Sequence, residues 1–404
     1  MNSVSQMRRT GVWLMAAALL TLAVPTGALA APKISVDVAS GRVVEHNEAF
    51  QRWYPASLTK IMTAYLAFRA VESGQMTMQT PVTMSVHAAK EPPSKMYFKP
   101  GERFPLDSAI KYLMVKSAND VAVAIAEAVS GTEEAFVRDM NETALALGMR
   151  ATRFVNPNGL PGKGQYTTAR DMAVLAVAVR RQFPQFAHYF GYEGFAMGTR
   201  THTNYNLLVG RFPGADGMKT GFICASGFNQ VSSATRNGRT VVSVVLGAPS
   251  QEVRADQSAA LLHKALTKTA WGAPTLATLQ PYGDGRDAVA DISGAICTPE
   301  ARAARYEGRD VEGKMVLNSP YIKPLTREPR LVQAPAGLAR TQTEIALSRV
   351  PIPLPRPMGV SPDGNAPFTA SAFSGPEPSG ASSVEAMPLR PGVTIPVPVP
   401  RPQI

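Results

Sequence analysis

The chain has 404 residues and a formal net charge of +11; 45% of the residues are hydrophobic, 18% are charged, and 34 are proline and 32 glycine. That composition permits a substantial buried core but sets aside an unusual share for loops or a tail, and the length suits one large domain or two. The basic excess favours anionic polymers of a cell envelope as neighbours, whereas nucleic acid is excluded as a partner because there is no basic helix with base-reading side chains and no aromatic stacking platform.

In chain order, Arg8 and Arg9 precede an apolar run from Gly11 to Val24, and Ala28-Leu29-Ala30 follows where a signal peptidase cuts. The run is shorter than the roughly 18 residues a membrane span needs, so residues 1–30 are expected to be a cleaved signal peptide, directing the chain to the periplasm or envelope. Ile34, Val36 and Val38 alternate, turn through Ser40-Gly41 and continue in Val43 and Val44, the pattern of a hairpin. Ile61, Met62, Tyr65, Leu66 and Phe68 keep a helical period behind Pro55 and Ser57, which predicts a helix from near Ser57 to Ser73-Gly74. Asp107 is expected to cap a short helix, Asp120–Val129 a second, and Thr132 with Glu133 and Glu134 opens a third toward Gly148. Residues 156–162 form a turn cluster, and Thr168 starts a further helix.

Beyond residue 210 two strands flank Asn237-Gly238, a dipeptide suited to a tight hairpin, and a closing helix over 251–266 is expected to pack through Val253, Ala260, Leu261 and Leu266. Strands at both ends with helices between them predict an α/β (α+β) fold, a mainly antiparallel sheet covered by helices, in a compact catalytic domain at 31–270 whose first hairpin rejoins the last strands. Residues 271–350 read as irregular or as a small remnant domain. Residues 351–404 hold 14 of the 34 prolines and read as a largely disordered proline-rich tail, either a solvated end or a docking strip for an unknown partner. Cys224 and Cys297 have no Cys or His at ligand spacing, which disfavours a metal site; in an oxidising compartment they could pair, and two buried thiols fit the same sequence.

Ser57 and Lys60 stand three residues apart, so one helical turn sets a hydroxyl beside an amine, as a nucleophile beside its base requires. Alone the spacing decides nothing, since it arises by chance about once in such a chain, and Ser108 and Lys111 repeat it. Two further elements follow: Ser117-Ala118-Asn119 at the junction of two helices, and Lys219-Thr220-Gly221 just before or within a strand. Together the three are the motif set of penicillin-binding proteins and related β-lactamases. The stretches YPASLTKIMTA, KSANDVA and DGMKTGF resemble most the low-molecular-mass D-alanyl-D-alanine carboxypeptidases, over about residues 31–270.

The resemblance implies a β-lactamase/transpeptidase-like fold, with Ser57 as acylated nucleophile and Lys60 as its base, kept neutral by burial and by Lys219. It implies that Ser117 relays a proton, that Asn119 holds Lys60 and bonds the substrate amide, and that Lys219 and Thr220 bind the terminal carboxylate. Gly221 would let the strand lie close to substrate, the backbone N–H groups of Ser57 and Phe222 would form an oxyanion hole, and Arg254 would add a carboxylate contact, although a helix-surface arginine explains that position equally well. The implied activity is serine-type D-Ala-D-Ala carboxypeptidase trimming of peptidoglycan stem pentapeptides through an acyl-enzyme, without metal or organic cofactor and with β-lactams as covalent inhibitors. A DD-endopeptidase cutting cross-links could use the same residues. A class A-like β-lactamase fits less well, because the middle motif is Ser-Ala-Asn and no convincing Glu-x-x-Leu-Asn segment precedes Lys219. A non-catalytic peptidoglycan-binding envelope protein would need neither nucleophile nor base. Members of this group often end in an amphipathic anchoring helix, whereas the tail here has no apolar helical face, so membrane anchoring is not expected.

Overall fold

The computed structural model describes residues 31–307 and 317–338; the expected signal peptide and the proline-rich tail lie outside them. β1 (Lys33–Asp37) and β2 (Val43–Asn47) form the anticipated hairpin. A 3₁₀ turn over Ala56–Thr59 carries Ser57 and runs into α1 (Lys60–Glu72), buried on nearly every side because its apolar residues continue around the whole helix. β3 (Pro81–Thr83), α2 (Val86–Ala89), β4 (Arg103–Pro105) and α3 (Leu106–Lys111) follow. Asp107 does not cap α3: Pro105 ends β4 in extended backbone, the helix starts at Leu106, and Asp107 sits in its first turn, ion-paired with Lys111 at 2.6 Å.

A wide π-type turn, Tyr112–Lys116, leads to Ser117, which takes left-handed backbone at φ 62° before α4 (Asn119–Ser130) begins. α5 (Glu133–Ala146) and α6 (Ala169–Gln182) start where expected, because the hydroxyls of Thr132 and Thr168 accept from the N–H groups of Ala135 and Asp171. After β5 (Gly194–Met197) and β6 (Arg200–Thr203) come β7 (Ala215–Ile223), β8 (Gly227–Arg236), β9 (Arg239–Ala248) and α7 (Gln251–Thr267). The β8–β9 turn has Asn237 and Gly238 at φ 50° and 74°, the positive angles this dipeptide tolerates.

The main sheet is antiparallel in the order β2-β1-β9-β8-β7, so the first hairpin does rejoin the last strands, and β7 is left at an edge. Its two faces are both covered. On β9, Val242, Val244 and Leu246 enter the core shared with α1 and α6, while Val241 and Val245 point to the α7 side. α7 meets the sheet through Ala255, Ser258, Ala259, Leu262 and Ala265, with Leu261 also buried. Val253 and Ala260, expected at this contact, face outward, Val253 being 36% exposed. Small side chains let a helix lie close to a sheet, and a reading weighted by hydrophobicity misses a face made of alanine and serine.

Residues past α7 return to the same body. Thr275 bridges to Arg42 and Ala290 to Trp53, and Leu276 and Leu279 are buried in the main core. α8 (Ser293–Ile296) and α9 (Pro299–Glu307) follow, and β10 (Leu331–Gln333) pairs in parallel with β5. Cys297, between α8 and α9, is disulfide-bonded to Cys224 at the end of β7, which resolves the pairing left open by the sequence. Among the described residues no helix is long and apolar enough to cross a membrane. Ala259→Leu is expected to cost about 1–3 kcal/mol of unfolding free energy by overpacking, whereas Ala260→Leu should stay within about 0.5 kcal/mol; denaturant unfolding of the two variants checks which face of α7 is buried.

Candidate active site

A cleft of about 310 Å³ opens along β7 and brings together Ser57, Ser117, Asn119, Thr220, Gly221, Phe222 and Arg254. Lys60 and Lys219 lie beneath it, 0% and 2% exposed. All nine residues singled out by the motifs therefore converge. The second Ser-x-x-Lys pair does not: Lys111 is held by Asp107 and by the carbonyl of Gln333, 2.8 Å away, and neither it nor Ser108 lines the cleft.

The Lys60 amine makes three contacts, 2.7 Å to Asn119 Oδ1, 2.5 Å to the Asn158 carbonyl and 3.0 Å to Ser57 Oγ. The first two partners can only accept, so they take two N–H groups. The third is a hydroxyl, which can also donate. A neutral amine, with two hydrogens and one lone pair, satisfies all three when Ser57 donates to Lys60. Burial holds the Lys60 pKa well below its ordinary value, and Lys219 pushes the same way; the carboxylates of Glu91 and Asp120 act weakly against both.

Lys219 is itself depressed, to about 7, by burial first and by Arg254 second. Arg254 is 3% exposed, pushed down to about 10 by burial, and donates to the Tyr205 carbonyl at 3.2 Å. It is a buried cation on the cleft wall and not a helix-surface arginine. Its Nε is buried and has no hydrogen-bond partner among the described residues. Gly221 packs against the serine turn so closely that a Cβ there would lie 2.9 Å from Ser57 N and 3.2 Å from Leu58 N. Phe222, 41% exposed, stands at the cleft mouth against Phe228, with ring centroids 4.3 Å apart.

Several supporting residues were not singled out in advance. Asn158 and Gly159, in the turn cluster after α5, wrap the far side of the serine turn: Asn158 supplies the carbonyl on Lys60, and a Cβ on Gly159 would fall 1.9 Å from the Ala56 carbonyl oxygen. Asn119 Nδ2 donates to Pro92 O at 2.9 Å, and its backbone N–H to Ser94 O at 2.7 Å. Glu91 accepts from Asn158 Nδ2 at 2.7 Å. Backbone carbonyls do most of this work, and they leave no trace in residue type.

A helix-covered antiparallel sheet with Ser-x-x-Lys, Ser-x-Asn and Lys-Thr-Gly around one cleft defines the serine acyl-transfer class to which penicillin-binding proteins belong. The chain belongs to the D-alanyl-D-alanine carboxypeptidase family, whose pattern matches residues 22–250. It is 33% identical over 240 residues to the D-alanyl-D-alanine carboxypeptidase DacF of Bacillus subtilis, covering 58% of this chain and 61% of the relative. Among solved structures it is similar to the carboxypeptidase DacD of Francisella tularensis (32% identity, TM-score 0.57, 66% of this chain and 74% of that one). It is also similar to penicillin binding protein 6B of Escherichia coli (33%, TM-score 0.56, 58% and 77%). The chain spans somewhat under two thirds of the length of several of the curated relatives it matches, at 61–65%.

The low Lys219 pKa has a stability consequence. Between about 7 and the ordinary 10.5 the unfolded chain carries a proton on Lys219 that the folded chain has lost, so in that window folding is increasingly favoured as pH rises. Replacing the amine with an uncharged chain of similar length, Lys219→Met, is expected to flatten the rise, as read from urea midpoints across pH 7–10.

Proposed function

We propose that the protein is a serine-type D-alanyl-D-alanine carboxypeptidase acting on peptidoglycan stem pentapeptides. The observation that carries this reading is the 3.0 Å contact between Ser57 Oγ and the fully buried Lys60 amine, which burial and Lys219 hold well below its ordinary pKa, so that in its neutral form its lone pair can take the Ser57 proton. Ser57 Oγ attacks the carbonyl carbon of the penultimate D-alanine while its proton passes to Lys60. The N–H groups of Ser57 and Phe222 receive the developing oxyanion, consistent with the close approach of Gly221 to that turn. As the C–N bond breaks, Ser117, on the cleft wall, relays a proton to the departing amine. Asn119 keeps Lys60 in place, and one of its two amide hydrogens remains after the contact to Pro92 for the substrate. Water then hydrolyses the ester on Ser57.

Lys219, Thr220 and Arg254 hold the substrate's terminal carboxylate, an assignment supported by Thr220 and Arg254 on the cleft wall and by the burial of the two cationic side chains. β-Lactams, which carry a carboxylate beside a reactive carbonyl, would acylate Ser57 in the same way. An exported location accords with the leader-like start of the sequence and with the Cys224–Cys297 disulfide, which needs an oxidising compartment.

Incubation with a fluorescent penicillin should give a covalent band that Ser57→Ala removes, with turnover of a D-Ala-D-Ala peptide lowered by at least on the order of 10⁴. A band persisting in that variant would reject the assigned nucleophile. With a defined muropeptide mixture, loss of one alanine is expected; splitting of dimers would make the enzyme an endopeptidase instead. Lys219→Met removes a cation that depresses Lys60, so Lys60 takes up its proton at higher pH and the acidic limb of penicillin acylation is expected to move upward.

A further inference from the structure

A second groove, of about 410 Å³, continues from the cleft and shares Phe222, Phe228 and Gln251 with it. Its far wall is α9, which presents Arg302 and Arg305; the Cys224–Cys297 disulfide ties the start of this helix to the end of β7. Arg305 is set in place, since Nη1 donates to the Ile296 carbonyl at 2.8 Å and the guanidinium lies 5.6 Å from the centre of the Phe228 ring. Glu252 also lines the groove, so two guanidiniums stand against one carboxylate. Such a balance suits a single carboxylate better than a dense polyanion.

The direction of the bound peptide follows from the reaction proposed above, on which this inference rests. The terminal carboxylate lies at Thr220 and Arg254 and the scissile carbonyl at the Phe222 N–H, so the rest of the acyl chain runs on along β7 toward Cys224. β7 is an edge strand, whose free backbone groups can pair with an extended peptide. Cys224 is two residues past Phe222, about 7 Å in extended chain, which brings the second or third residue before the cut abreast of α9.

We infer that this groove is a specificity subsite for a carboxylate-bearing side chain of the acyl peptide two to three residues upstream of the scissile bond, with Arg302 and Arg305 supplying the charge. α9 lies beyond the residues 22–250 matched by the family pattern.

The test uses the protein without its leader and two peptides ending in D-Ala-D-Ala, identical except that the upstream side chain ends in a carboxylate or in its uncharged amide. The expected result is a higher kcat/KM for the carboxylate peptide, and a ratio between the peptides that falls at least about tenfold in Arg302→Ala and in Arg305→Ala, the loss of one hydrogen bond to a charged group. Arg302 is exposed, so its variant keeps the test valid should Arg305→Ala loosen α9. No preference in the unsubstituted protein, or an unchanged ratio in both variants, overturns the subsite while leaving the reaction standing. Absence of both penicillin acylation and peptide turnover in the unsubstituted protein overturns the reaction, and the subsite with it.

Discussion

The amine of Lys60 is buried completely among carbonyls and a hydroxyl, and the rest of the site depends on its doing so without a charge. A buried ammonium is stable only beside anions or with its hydrogens well placed. Here the charged side chain that weighs most on it is another cation, Lys219, and the carboxylates of Glu91 and Asp120 have the smaller effect. Neutrality is thus the state the surroundings favour, and a neutral amine next to a serine hydroxyl can take up its proton. Such an arrangement needs two bodies of structure to meet: α1 and α4 supply Lys60 and Asn119, and the sheet supplies Lys219.

Holding the serine turn between those bodies is the task of residues with no chemistry of their own. Asn229 on β8 donates from Nδ2 to the carbonyls of Tyr54 at 2.9 Å and Pro55 at 3.3 Å, just ahead of Ser57. Trp53 is buried and bonds through Nε1 to the Ser226 carbonyl at 2.9 Å, and Gly247 leaves room for its ring, a Cβ there falling 2.5 Å from Cζ2. Ala56 takes a positive φ of 48°, unusual for alanine, where Gly159 presses on its carbonyl from the other side. Strained backbone next to a reactive group persists only when its neighbours over-determine it, and these contacts do so.

What the sequence disclosed about the site divides along a physical line. Ser57 with Lys60, Ser117 with Asn119, and Lys219 to Gly221 were legible because each pair or triplet is tied together by one local element: a helical turn, a helix junction or a strand. Asn158 and the 91–94 segment were not, since they act through backbone carbonyls or a single side chain brought in from elsewhere in the chain. The same holds for the fold. Alternating valines and Asn237-Gly238 announced the sheet, but the buried face of α7 was misjudged because alanine and serine carry little hydrophobic signal. The pairing of Cys224 with Cys297, 73 residues apart, depended on the return of a segment that shows no periodicity.

In the proposed reaction the row of cations gives the substrate's own charge a part in preparing the base. Arg254 depresses Lys219, and Lys219 depresses Lys60, while Arg254 is not among the groups weighing on Lys60. A carboxylate bound beside Arg254 offsets the repulsion that Arg254 exerts on Lys219. Lys219, which burial and Arg254 hold down to about 7, then retains its proton. A protonated Lys219 presses harder on Lys60 than a neutral one does, which keeps Lys60 unprotonated just when Ser57 must give up its proton. A peptide lacking the terminal carboxylate fills the cleft without strengthening this repulsion, so its penalty should fall on the acylation step and not on binding alone.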